Sequence, residues 1–151
     1  MFSKKEVALK RSTLFALVTI FCVTNSAAQE TRAVERKDVD AKVVHEAVVS
    51  GYLTEVNGKY KLRVTETSFK PGGYVGEHQH VGPGIRIVTA GELTLVETAK
   101  TRIYKQGDIF YESGDVTNSA HNKGTVPAVL LTFEILPVDW KGGSGVPPKS
   151  K

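Results

Sequence analysis

From Val43 to Leu136 the chain alternates with a period of two. Residues i and i+2 of an extended backbone share a face, so this rhythm belongs to strands and not to helices. Between Lys59 and Phe69, Tyr60, Leu62 and Val64 alternate with Lys61, Arg63 and Thr65. Three further runs follow: Ile85 to Glu97, Thr101 to Glu112, and the β-branched, apolar Val126 to Leu136. Asn57-Gly58 is a strong hairpin signal, and Ala90-Gly91 and Gln106-Gly107 read as the turns of two further hairpins. No long segment carries a 3.6-residue period outside the N-terminal apolar run. Short strands punctuated by glycine turns predict an all-β sandwich or barrel, and no solenoid or propeller repeat is visible.

The N-terminus reads as an export signal. Lys4, Lys5, Lys10 and Arg11 precede an uncharged apolar run, Ser12 to Thr24, and Ser26 and Ala28 suit a cleavage site after residue 28. That run is short for a bilayer span, which needs about 20 apolar residues. Residues 1–28 are therefore expected to be a signal peptide, with no stable membrane anchor after cleavage and a periplasmic or secreted product. Cleavage takes four of the 20 basic residues and one of the 16 acidic ones, leaving a near-neutral chain. Most of the net charge of +4 thus belongs to the signal, and no nucleic-acid partner follows from it. The single cysteine, Cys22, is also removed, so neither disulfide nor thiol chemistry is expected.

Residues 29–42 are highly charged and read as a peripheral N-terminal arm, a solvated tail or a short helix. Residues 43–140 carry the barrel pattern, with Trp140 expected to cap its end. Residues 141–151, rich in Gly, Pro and Ser, read as a disordered tail. Tyr74, Tyr104, Phe110, Tyr111 and Phe133 are expected mostly in the core.

The chemistry gathers at His78-Gln79-His80. On a strand both imidazoles point to one face, as a pair of ligands for a divalent transition metal (Zn, Fe, Mn, Ni or Cu) would. Gly72, five residues, His78 and His80, then Gly91, resemble the first signature of the cupin superfamily, and Gly107 to Asn122 follows the spacing of the second. The resemblance covers most of Gly51 to Leu136. It implies a single double-stranded β-helix barrel of the jelly-roll type, with ligands bound between its sheets.

Two of the four ligands that the resemblance implies are missing. The glutamate position falls on Gly84 and the second-motif histidine on Asn118, whose amide oxygen suits these metals poorly. Ser113 and Asp115 stand in place of that motif's Pro and Gly. His121 is a third metal candidate if a bulge turns it inward; in a regular strand it faces away from Asn118. Glu77 should point outward, Glu112 has no assigned place, and His45 lies near a barrel end. Arg86 shares the parity of His78, His80 and Gly84. Either it enters the barrel, where Gly84 leaves room for a carboxylate pocket, or the Gly82-Pro83-Gly84 turn resets parity and exposes it. The metal candidates are therefore His78, His80 and His121, and the ligand-binding candidates Arg86 and Asn118.

Three functions fit. The first is an exported barrel that binds a small polar ligand beside a degenerate metal site. The second is a metal-dependent dioxygenase, isomerase or lyase acting on an oxygen-rich substrate. The third is an interaction protein, and a homodimer is compatible with each.

Overall fold

A computed structural model describes residues 33–98 and 100–149. The predicted signal, residues 1–28, lies outside them. The described residues form nine strands and no helix: β1 Arg36–Val48, β2 Tyr60–His80, β3 Gly84–Ala90, β4 Glu92–Glu97, β5 Lys100–Lys105, β6 Ile109–Glu112, β7 Asn118–His121, β8 Ala128–Pro137 and β9 Gly145–Val146. Seven follow the antiparallel path β5-β4-β7-β2-β8-β3-β6, which curls into a nearly closed barrel, while β1 and β9 pair with β2. The all-β jelly-roll expectation holds.

β2 joins the two halves of the barrel. Its first part, Tyr60 to Phe69, lies between β1 and β8; its second part, Tyr74 to His80, pairs with β7 and ends beside β9. The change of partner occurs at Lys70 to Gly73, where Gly72 has φ +76° and Gly73 leaves no room for a side chain against the carbonyl of Asp38.

The hairpins expected at Gly91 and Gly107 are not hairpins. β3 pairs with β6 and β8, whereas β4 pairs with β5 and β7, so the chain changes layer at each turn. The two corners bond to each other instead: Gln106 N donates to Gly91 O at 3.1 Å, and Gly107 N to Val88 O at 2.8 Å. Asn57-Gly58 does precede the second strand of an antiparallel pair, β1 with β2.

Both termini differ from expectation. Residues 36–42 are neither tail nor short helix; they form half of β1, because backbone pairing with β2 requires no apolar side chains. Residues 141–149 fold back onto the barrel, where β9 pairs with Gln79 and His80.

The core gathers at one end of the barrel: Phe69, Val75, Val88, Leu93, Leu95, Phe110, Ala120 and Ala128. Toward the other end the usual alternation inverts. Lys61 and Arg63 are buried inside, while Leu62, Phe133, Ile135 and Ile85 face outward. Of the five aromatics expected mostly in the core, Phe110 is buried; Tyr111 and Phe133 lie on the outer face.

Candidate functional site

One row of the sheet carries most of the charge. Cα partners at this level run Glu46 on β1, Arg63 on β2, Glu134 on β8, Gly84 on β3 and Glu112 on β6. Directly opposed residues interact most strongly across a sheet, so alternating signs are favoured here. The gap at Gly84 is filled from the next level. Arg86, two residues along β3, is fully buried, and its Nη1 lies 2.0 Å from where a Cβ on Gly84 would be. Gly84 therefore leaves room for the protein's own guanidinium rather than for a ligand's carboxylate, and Arg86 takes the inward of its two expected directions.

Arg86 holds the row together. Its Nε is 2.6 Å from Glu112 Oε2, and its Nη2 is 3.3 Å from Glu134 Oε1. His80 lies between the same two carboxylates, with Nε2 3.3 Å from Glu112 and Nδ1 3.3 Å from Glu134. Asn118 Nδ2 donates to the other oxygen of Glu112 at 2.8 Å. Buried charges are tolerated only when paired in this way. Burial pushes the Glu134 carboxyl up, but hydrogen bonds from His80 and Ser144 and the charge of Arg86 outweigh it and hold the group below its ordinary range. Three polar atoms of the site are buried without a hydrogen bond; Arg86 Nε still has its ion pair with Glu112, which leaves the donor Arg86 Nη1 and the acceptor Asn118 Oδ1 with no partner of either kind.

His78 faces the same interior, with its ring centroid 4.9 Å from that of His80. Its Nδ1 is 2.8 Å from the Gly76 carbonyl. Burial, then the nearby charges of His80, Arg36 and Arg86, lower its pKa to about 4, which keeps the ring neutral at physiological pH. His121 is elsewhere. It stacks on Tyr74 with centroids 5.7 Å apart and faces Ser119, outside the cavity. β7 keeps an unbroken register with β4 through His121, and the shift in its pairing with β2 falls on the β2 side, between Val75 and His78, so the expected set His78, His80 and His121 does not assemble. Glu77 is exposed, as its parity requires.

The residues present do not fit a resident divalent ion. Both nitrogens of His80 are taken up by carboxylates and Ser144, and a guanidinium fills the place of the missing glutamate. Among the described residues no group of three or more His, Cys, Asp or Glu is arranged to hold a metal.

These residues line a cavity of about 420 Å³. Its floor is apolar: Phe69, Val75, Leu93, Leu95, Phe110 and Ala120. Its mouth carries Lys61 and Arg63, which share Glu46 Oε1 at 3.2 and 2.5 Å. Sequence reasoning missed Lys61, Arg63, Glu46, Glu134 and Ser144 as site residues and could not place Glu112. The available signal was Glu134, the one charged residue in the strand Ala128–Pro137, which pointed to a buried cation opposite it.

A family model for the Cupin domain matches residues 65–134, which span the barrel from β2 to β8. No curated protein matches the chain in sequence. Among solved structures, an uncharacterized conserved protein with a double-stranded β-helix domain from Klebsiella pneumoniae is similar at TM-score 0.52 and 19% identity, covering 74% of this chain and 86% of that one. A Cupin 2 conserved barrel domain protein from Salinispora arenicola is similar at TM-score 0.50 and 19% identity, covering 70% and 82%. A cupin superfamily protein from Desulfitobacterium hafniense is similar at TM-score 0.50 and 12% identity, covering 70% and 84%. At these identities the likeness is one of fold. The family match covers 70 of the 151 residues, and the shared feature with the solved structures is the double-stranded β-helix barrel.

Proposed function

We propose that this protein is an exported barrel that binds a small polar organic ligand without a metal ion. The observation that carries the reading is the buried, unpartnered pair Arg86 Nη1 and Asn118 Oδ1, both attached through their neighbours to Glu112. Buried polar groups are almost always satisfied, so a donor and an acceptor left open beside a cavity await a molecule that offers both. The volume of about 420 Å³ lies within the roughly 300–1,000 Å³ usual for small-molecule sites. The apolar floor would take the ligand's carbon skeleton.

The test is elemental analysis of the protein purified without a histidine tag, alongside thermal melts with a panel of organic acids and sugars. Substoichiometric metal with ligand-dependent stabilisation is the expected result. One equivalent of metal, lost in His78→Ala/His80→Ala, would overturn the reading in favour of a metal-dependent dioxygenase, isomerase or lyase. Export is tested by the N-terminal sequence of protein recovered outside the cytoplasm; a start at Gln29 is expected.

The outer face favours a second element of this reading. Ile85 has Phe133 and Tyr111 as its two register neighbours, Leu62 pairs with Ile135, and all five are exposed. A contiguous exposed apolar patch marks a protein contact. It supports a homodimer rather than a nucleic-acid partner or a membrane anchor. Light scattering should give twice the monomer mass, falling to one in Phe133→Lys/Ile135→Lys.

A further inference from the structure

The mouth of the cavity is covered by the chain's own residues 140–145. This strap is held from inside the barrel at every second residue. Lys61 Nζ donates to the Trp140 carbonyl at 2.8 Å, and Arg63 Nη1 to the Gly142 carbonyl at 2.5 Å. Ser144 Oγ donates to Glu134 Oε1 and lies 3.3 Å from His80 Nδ1. The strap thus presents two carbonyl oxygens to two cations and a hydroxyl to a carboxylate and an imidazole.

These partners are mismatched in strength. Among the described residues, Lys61 and Arg63 share Glu46 alone as a charged partner at the mouth, and Arg36 and Lys141 line the same opening. Besides Glu46, Lys61 Nζ and Arg63 Nη1 each donate to one neutral peptide carbonyl. Those bonds have an ionised donor only; a carboxylate in that place would add the opposite charge and could take the guanidinium in a fork. Deeper in, Glu134 and Glu112 would repel a carboxylate, whereas a hydroxyl fits as Ser144 does. The strap is also poorly suited to hold its ground. Gly142, Gly143 and Gly145 make it half glycine, and glycine loses the most conformational freedom on ordering. Its position depends on those glycines: a Cβ on Gly145 would lie 3.1 Å from Arg36 Nη2 and 3.4 Å from His78 Cδ2.

We infer that the strap is an internal stand-in for the ligand, and that the ligand is a polyhydroxy carboxylic acid that displaces it. The carboxylate takes Lys61 and Arg63 at the mouth; a hydroxyl takes the place of Ser144 Oγ between Glu134 and His80. Gly142 and Ser144 are two residues apart, roughly 7 Å of extended chain, so the two groups of the ligand are separated by several carbons. This deepens the ligand-binding reading above and rests on it.

Trp140 is the sole tryptophan, and its Nε1 bonds to the Gly143 carbonyl at 3.1 Å within the strap, so its emission reports the strap directly. Gluconate, glucose and hexanoate are titrated against the full protein, following both the melting temperature and Trp140 emission. Gluconate is expected to move both with one midpoint; glucose, lacking the carboxylate, and hexanoate, lacking the hydroxyls, should each need about tenfold more. Ser144→Ala, which frees one strap contact, should lower the gluconate midpoint, and Lys61→Gln should raise it. Stabilisation by gluconate with unchanged Trp140 emission would overturn the displacement and leave ligand binding intact. Equal midpoints for gluconate and either control would overturn the ligand class. A stabilising ligand from the wider panel, with none of these three active, would do the same.

Discussion

The two ends of this barrel are built from the same strands and obey opposite rules. At the closed end, β2 and β8 meet at Phe69 and Ala128 around an apolar cluster, and the one buried amide beside it, Asn122, is bonded to the Phe69 and Val126 carbonyls. Eight residues along β2, the same pair of strands meets at Lys61 and Leu136, with Arg63, Glu134, Arg86 and Glu112 beside them. The closed end is held by area removed from water, which needs no particular partner. The open end is held by matched charges, where each group is tolerable only because the next is present. Stability is therefore divisible at one end and collective at the other.

Removing one large group at each end gives the sharpest separation. Phe69→Ala should cost about 3–5 kcal/mol by urea denaturation, through lost transfer energy and a cavity. Arg86→Met should cost about 3–5 kcal/mol as well, because it strands two buried carboxylates. Only the second deficit should depend on pH. Buried carboxyls that lose their guanidinium titrate higher than before, so less of the deficit remains where they are protonated, and the Arg86→Met deficit should shrink in acid. A deficit that stays constant would place the open end under the same rule as the closed one.

Gly84→Ala comes next. Its Cβ would meet Arg86 Nη1 at 2.0 Å and the Phe133 carbonyl at 2.4 Å, so a loss of about 1–3 kcal/mol is expected in the same assay. Recovery in Gly84→Ala/Arg86→Met relative to the summed single losses would show the two positions share one volume.

Acid tests the open end in the unmodified protein. The His78 pKa is lowered from 6.5 to about 4, so the unfolded chain binds a proton that the folded one refuses between those values. Glu134, also lowered, loses its stabilising contribution as pH falls through its folded value. Both act in one direction: the melting temperature should fall as pH drops from 6.5 to 4. His78→Gln should flatten the upper part of that profile.

The smallest effect belongs to neither end. Phe133→Ser, on the outer face at 42% exposure, should change stability by within about 0.5 kcal/mol when the protein is dilute enough to be monomeric by light scattering. A larger loss would mean the outer face contributes to the fold itself.

Much of this was legible beforehand, and the limits have physical reasons. The strand rhythm and the two spaced motifs led to the barrel, because period and turn chemistry are local. The inward direction of Arg86 was half legible, since parity pointed inward and only the turn at Gly82 to Gly84 left it open. The row from Glu46 to Glu112 was not, because it exists only in the register of five strands, which no single strand reveals. Composition misled at the termini. Charge at residues 36–42 and glycine at 142–145 look like disorder, yet a strand can pair through its backbone alone and a strap can lie close because it lacks side chains.

The length of β2 has a kinetic corollary. Its first residue, Tyr60, finds its partner at Pro137, nearly at the other end of the described chain. Barrels dominated by such distant pairings close slowly, since the loop must be gathered before any contact rewards it. β8 is a partner to both β2 and β3, so neither of these early strands completes its pairing until β8 has been synthesised. The pairs β1–β2 and β4–β5 can form without it, but the barrel itself closes only when β8 slots between β2 and β3.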